Sequence, residues 1–306
     1  MAPVPRCQKL ECKTIDGVTI RGLFYSAQSD EGKAPAIIMT HGFNCVKEML
    51  LPEVAEYFQS LGYNAFIYDP RTTGDSDGLP RNHISPLQQA EDLSDILTHI
   101  ATQPTVDARR IALWGMSFGA TVSACTAAVD RRVKALVMVC PIFSFFQPEK
   151  REKAFQQLIR DRVSQLRGNE GFSLPPFNVR GENPIGMAGS GGPGGLEAYG
   201  FMKAVVDRGA QNFRDRITLQ TYHKLAVFRP KELLDMVSAP VIMTVPELDD
   251  ISPAEEQEEA FGRFRGDVKK ELYLAKGKGH LTVLSGVGAD VILNAQVDFV
   301  KAAFEL

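Results

Sequence analysis

A chain of 306 residues has room for one large α/β domain or two smaller ones, and 44% apolar with 23% charged residues is the composition of a chain that buries a core. The formal net charge of -3 excludes the basic character of a general nucleic-acid or membrane-surface binder, which leaves small-molecule chemistry as the expectation. The opening Met1-Ala2-Pro3-Val4-Pro5-Arg6-Cys7 carries no apolar core of signal-peptide length. No later run reaches the roughly 18 uninterrupted apolar residues of a membrane span, so an intracellular, cytoplasmic protein is expected. Five scattered cysteines (Cys7, Cys12, Cys45, Cys125, Cys140) never form a CxxC pair, and free thiols are expected, with no metal and no cofactor.

The chain begins as a hairpin. Gln8 to Thr14 and Val18 to Tyr25 read as antiparallel strands joined through Asp16-Gly17, a favoured tight-turn pair. Apolar strand runs follow at Ala36 to Thr40, Ala65 to Tyr68, Ile111 to Trp114, Ala135 to Val139, Val241 to Val245 and Leu272 to Leu274. Helices are expected between them at Leu51 to Ser60, Leu87 to Thr102, Ser117 to Val129, Pro253 to Phe264 and Gly288 to Phe304. In the last, Val291, Ile292, Ala295, Phe299 and Ala302 mark one buried face. Continuous apolar strands alternating with helices imply a mostly parallel sheet covered on both sides.

One stretch breaks this rhythm. Residues 141–239 show no strand run but an amphipathic helix (Phe155, Leu158, Ile159, Val163, Leu166), a glycine-rich segment from Gly186 to Gly195 read as a flexible loop, and helical patterns around Leu196 to Asp207 and Asp215 to Val227. The division expected is a core of residues 1–140 and 240–306 with a helical lid of residues 141–239 over the strand ends. A separate helical domain with no part in the site is the alternative.

The chemistry concentrates on Ser117, in Gly115-Met116-Ser117-Phe118-Gly119 between the strand Ile111 to Trp114 and a helix of small residues. That context makes GxSxG a nucleophile elbow, whose strained turn lifts the hydroxyl above the sheet and whose glycines avoid clashes. Serine is too weakly acidic to attack a carbonyl unaided, so a base and an orienting acid are required. His280, in the glycine loop Gly277-Lys278-Gly279-His280 beyond the last strand, is the candidate base. His83 and His99 precede the serine, and His223 falls in a predicted lid helix. Asp249 is chosen as the acid, from the loop Pro246-Glu247-Leu248-Asp249-Asp250 after a strand, with Asp250 and Glu247 as fallbacks; the competing role for this loop's acids is to cap the helix near Pro253. For the oxyanion, the candidate donors are the backbone amides of Phe118 and of Phe43, in Thr40-His41-Gly42-Phe43-Asn44, with Gly42 permitting close approach and His41 bracing the loop.

Thr40-His41-Gly42-Phe43, the segment Tyr68 to Gly78, the elbow, Glu247-Leu248-Asp249 and Gly277-Lys278-Gly279-His280 together resemble the α/β-hydrolase superfamily over nearly the full length. Tyr68 to Gly78 resembles its Asp-x-Arg-Gly-x-Gly-x-Ser loop, departing at Thr72 and Thr73 where Arg-Gly is usual. The block from Arg216-Ile217-Thr218-Leu219-Gln220 through Arg229-Pro230 to Gly277-Lys278-Gly279-His280 is similar to fungal thiohydrolases and acyltransferases of polyketide pathways, the fumagillin-type polyketide transferase family among them. The resemblance implies a serine-dependent hydrolase or acyltransferase of secondary metabolism, acting on a polyketide-type acyl thioester or ester.

Phe143, Phe145, Phe146, Phe172, Phe177, Tyr199, Phe201 and Met202 are the candidate lining of an acyl pocket, with packing inside the lid as the alternative; Phe143, Phe146, Tyr199 and Met202 are the residues selected as substrate-binding. Between Glu149 and Arg167, six Lys and Arg face three acidic residues, which offers a docking face to the acidic helices of an acyl carrier protein. Two other function classes stay open: a cyclase or condensation catalyst that uses His280 as base without a serine ester, and a ligand-binding member that does not turn over.

Overall fold

The computed structural model describes residues 7–27, 32–207, 210 and 212–305; the stretch before Cys7, read above for a leader, lies outside them. The expected hairpin forms, with β1 (Cys7–Lys13) antiparallel to β2 (Thr19–Tyr25). The chain continues through β3 (Ala34–Thr40), α1 (Leu51–Ser60), β4 (Asn64–Tyr68), α2 (Pro86–Ala101), β5 (Val106–Met116), α3 (Phe118–Val129) and β6 (Ala135–Val139). Next come α4 (Arg151–Leu166), β7 (Ser173–Leu174), α5 (Gly192–Asp207), β8 (Ile217–Thr218) and α6 (Leu219–Val227). The chain then returns to the sheet with β9 (Val241–Pro246), α7 (Ala254–Phe261), β10 (Lys270–Ala275) and α8 (Ala289–Phe304).

Eight strands form one sheet in the order β1-β2-β4-β3-β5-β6-β9-β10, parallel from β4 onward and antiparallel only around β2. After β3 the chain first pairs β4 on one side and then β5 on the other. This reversal opens a crevice at the carboxyl ends of β3 and β5, where ligands bind in open parallel sheets. Strand periodicity sorts the core onto two faces. Ala36, Ile38, Ile111 and Leu113 pack with Leu93, Ile96 and Leu97 of α2 and Ala120 and Ala124 of α3. Ile37, Met39, Ala112 and Trp114 pack with Val54 and Phe58 of α1 and Val297 and Val300 of α8.

Four stretches differ from expectation. β5 starts at Val106 rather than Ile111, because the polar stretch Asp107 to Arg110 joins the strand through ion pairs of Arg109 and Arg110 with Asp107 and an irregularity in the pairing with β3. In α8, Ile292 and Phe299 of the expected face are buried and Ala295 and Ala302 half-buried, but Val291 is exposed and Gln296 is buried, so the inward face is shifted to take in a polar residue. The cause is polar: Trp114 Nε1 donates to Gln296 Oε1 at 2.9 Å, and Gln296 Nε2 donates to Thr244 Oγ1 at 3.2 Å. In α4 the burial is likewise redirected. Ile159, Val163 and Leu166 face solvent, while Asp161 is buried, accepting from the Phe172 amide (2.9 Å) and from Gln220 Nε2 (2.6 Å). The glycine-rich segment is also more ordered than a loop throughout, since α5 begins at Gly192 within it.

Described residues of the segment between β6 and β9 pack onto the sheet layer. Leu158, Phe177, Met187, Ala198, Met202 and Tyr222 from it share one buried cluster with Phe43, Phe118 and Val122 from the sheet layer. That cluster lies over the crevice. No helix among the described residues is long and apolar enough to cross a membrane.

Candidate active site

β5 ends at Met116, and Ser117 follows with φ 56° and ψ -121° as the residue that caps α3. This is left-handed backbone in a non-glycine residue, held by the Ser117 amide donating to Val139 O at 2.8 Å. The flanking glycines are required by space. A Cβ on Gly115 would sit 2.4 Å from Gly119 O, and one on Gly119 would sit 2.3 Å from both Thr40 O and His41 O. A Cβ on Gly42 would lie 3.4 Å from Ser117 Cβ, which measures how closely the loop after β3 approaches the elbow.

His280 arrives from the loop after β10. Its Nε2 lies 2.8 Å from Ser117 Oγ, and its Nδ1 lies 2.8 and 3.0 Å from Asp249 Oδ2 and Oδ1. Of the three acids considered after β9, Asp249 is the buried one; Glu247 is exposed and accepts from the Gly277 amide, and Asp250 is exposed. α7 is capped by Pro253 with no side-chain bond, so neither aspartate caps it. Asp249 Oδ1 accepts from the amides of Ile251 (2.9 Å) and Ser252 (2.7 Å), and Oδ2 accepts from Gln257 Nε2 at 3.1 Å. These donors leave the carboxylate one orientation, with Nδ1–H of His280 as its remaining partner.

The loop after β3 is braced as expected from His41. Its ring Nε2 bonds Met49 O, and its Nδ1 accepts from the Gly42 amide at 2.6 Å. The ring is therefore the neutral Nε2–H tautomer, and burial lowers its pKa from 6.5 to about 4. Phe118 is the first residue of α3, a position whose N–H has no partner inside its own helix. Phe43 and Phe118 pack edge to face, 5.6 Å between ring centroids. The remaining histidines lie elsewhere: His83 bonds Thr218 Oγ1 and His99 bonds the backbone of Lys13, while His223 sits in α6.

Electrostatics at His280 are a contest. Burial disfavours the imidazolium, while the Cys140 sulfur and the Asp249 carboxylate favour it and prevail, raising the pKa above the ordinary 6.5. The Cys140 thiol is itself pushed up by burial. Cys140 Sγ–H donates to His280 O at 3.6 Å, a contact with no signal in the sequence. Cys140, Asp249 and His280 stand close enough to share a cation, but each is engaged in these bonds. The other acidic cluster, Glu48, Asp69 and Asp75, surrounds an ammonium instead, Lys47 Nζ, at 2.6 to 2.8 Å.

Above Ser117 and His280 is an apolar cavity of about 60 Å³, walled by Ile142, Phe177, Met187, Ala198, Phe201 and Met202 from the inserted segment and by Phe43 and Ile251 from the loops after β3 and β9. Met202 is thus beside the serine. Phe143 and Phe146 are not: they line a second, larger cavity, and Tyr199 lines neither, its ring lying under Lys203 Nζ instead. Phe172 is exposed. Ile142, Met187, Ala198 and Gln257 are site residues that the sequence did not single out, because their places depend on how the inserted segment and α7 pack.

A model of the alpha/beta hydrolase family matches residues 37–291. The chain belongs to this family. Among curated relatives, a thiohydrolase of Eupenicillium brefeldianum is 43% identical over 296 residues, spanning 96% of this chain and 94% of its own. The polyketide transferase grgF of a Penicillium species is 38% identical and spans 95% of each chain. Among solved structures, that of DcsB in complex with its substrate analogue is 67% identical with a TM-score of 0.93, covering 97% of this chain and 99% of that one. The alpha/beta hydrolase GrgF from Penicillium sp. sh18 is 36% identical with a TM-score of 0.85, covering 98% and 99%.

Proposed function

We propose that this family member is a serine-dependent hydrolase or acyltransferase that takes a polyketide-type acyl thioester or ester through an acyl-serine intermediate. The observation that carries the reading is the unbroken chain from Ser117 Oγ to His280 Nε2 at 2.8 Å and from His280 Nδ1 to Asp249 at 2.8 Å. The fungal thiohydrolase and polyketide transferase relatives support the substrate class.

In this reading Ser117 Oγ attacks the acyl carbonyl as His280 Nε2 takes its proton. The new C–O bond leaves a negative oxygen between the amides of Phe43 and Phe118. Asp249 stabilises the imidazolium and fixes its tautomer without taking the proton. Collapse breaks the bond to sulfur or oxygen, and His280 returns the proton to that leaving group. Water or an alcohol then attacks the acyl-serine, again losing its proton to His280, which passes it to Ser117 Oγ as the ester breaks.

A carrier-bound thioester would be brought in along α4, where exposed Ile159, Val163 and Leu166 stand among Arg160, Arg162 and Arg167. Apolar residues rimmed by arginine suit the acidic helix of an acyl carrier protein. The Arg160→Glu/Arg162→Glu variant should lose turnover of the carrier-bound substrate while keeping that of a small free thioester; equal retention of both removes the docking role. The free thiols, four of the five buried, suit a reducing compartment, and we assign the enzyme to the cytoplasm.

A fluorophosphonate probe tests the nucleophile. Wild-type protein should be labelled once and the Ser117→Ala protein not at all. Turnover that persists at a near-normal rate in Ser117→Ala would falsify the acyl-serine reading and favour His280 acting alone as the base of a cyclisation.

A further inference from the structure

The second cavity has a size and a chemistry of its own. It is a half-open cavity of about 450 Å³, against about 60 Å³ above the serine, and so reaches the range of small-molecule sites. Its apolar wall includes Phe143, Phe145, Phe146, Phe155 and Phe228, the rings of Phe146 and Phe155 meeting edge to face at 5.4 Å. The residues from 142 to 146 form the partition: Ile142 faces the serine cavity and Phe143 to Phe146 face the larger one.

The rim is cationic, and two of its charges are unspent. Lys231 pairs with Glu256 and Glu259 at 3.1 and 3.2 Å, and Glu232 pairs with Arg263 at 3.2 Å. Arg151 has no ion-pair or hydrogen-bond partner among the described residues. Among the described residues the Arg229 guanidinium makes one bond, from Nη1 to the Phe228 carbonyl at 2.9 Å, and no ion pair. Two guanidinium groups with no carboxylate partner over an aromatic floor are matched by an amphiphile with a flat anionic head and an apolar tail.

We infer that this cavity is a second binding site, for a medium-chain carboxylic acid, with the carboxylate on Arg151 and Arg229 and the chain among Phe143, Phe146, Phe155 and Phe228. The site is separate from Ser117 and goes beyond the proposed acyl-serine chemistry. Its occupant is of the class that hydrolysis of an acyl thioester releases. Phe145 and Phe228 pack on Phe118, at 6.4 and 6.3 Å between ring centroids, so an occupant would lie one aromatic layer from the elbow.

Calorimetric titration of decanoate into the Ser117→Ala protein tests this independently of any covalent step. One decanoate per chain should bind, at least tenfold more weakly to the Arg151→Glu/Arg229→Glu variant, with neutral decanol also weaker. Filling the cavity with Ala226→Trp should abolish binding, whereas Ala198→Phe, which fills the serine cavity, should leave it unchanged. Both arginines are exposed, so their variant keeps the fold and carries the test if the tryptophan variant does not. Absence of binding, an affinity the two arginines do not affect, or loss of binding through Ala198→Phe alone would each overturn the assignment.

Discussion

Asp249 shows how the site is held together at the scale of single residues. Two backbone amides and Gln257 fix its carboxylate, and the carboxylate in turn fixes the proton of His280 on Nδ1, leaving Nε2 free to face Ser117 Oγ. Asp249→Asn removes the charge and offers the ring the wrong partner. Its kcat should fall about 10⁴-fold, the loss expected of a mis-set tautomer. The pH dependence has a defined sign. With His280 raised above 6.5, wild-type activity should climb with pH along an acid limb centred above 6.5, as the base loses its proton. Since Asp249 is one cause of the raised value, the residual activity of Asp249→Asn should have its limb displaced to lower pH. A pH–rate profile of both proteins checks this, and a limb that does not move contradicts the role given to Asp249. Ser117 and His280 are visible in the sequence because each sits in a glycine-bounded turn that a backbone requirement imposes. Gln257 carries no such mark: it reaches Asp249 only because α7 folds back over the loop before it.

Elements add constraints that no single residue displays. His41 ties the loop after β3 to Met49 and presents Nδ1 to the Gly42 amide, so charging the ring both desolvates a cation and breaks that bond. The folded value of about 4 lies below the ordinary 6.5, so the unfolded chain binds more protons between these values. Stability from His41 is whole above pH 6.5 and drains away as pH falls through about 4, about 3 kcal/mol in all. Denaturant unfolding at both ends of that window should show the loss in wild type and not in His41→Gln; equal losses would dismiss the assignment. The limits of reading elements from sequence are clear in α8 and β5. Apolar periodicity outlines a face through Val291, but the face that turns inward is decided by Gln296 meeting Trp114 and Thr244. The first part of β5 is polar and joins the sheet because Asp107 pairs with its two arginines, a compensation local to the fold.

For the whole molecule, the decisive feature is how tightly the segment between β6 and β9 closes on the crevice. That this segment interrupts the sheet was legible from its missing strand runs. Which of its aromatics reach the serine was not, since Phe177 and Phe201 enter the cavity while Phe143 and Phe146 turn to the other side of a five-residue wall. A cavity of about 60 Å³ admits the reacting carbonyl and a few atoms, so a longer acyl chain must displace side chains such as Met202. Met202→Ala should therefore raise kcat/KM for long-chain thioesters relative to short ones by about tenfold, a shift of the size that one or two methylenes of pocket space supply. Unchanged chain-length preference would mean that the acyl chain leaves the site by another route.

The acyl-serine itself is the claim on which the rest depends, and mass spectrometry of the intact protein reads it directly. Mixed with acyl thioesters of graded length, the wild-type chain should gain the mass of one acyl group, and Ser117→Ala should gain none. An adduct that forms equally on Ser117→Ala, or turnover by wild type with no adduct at any time after mixing, would contradict it.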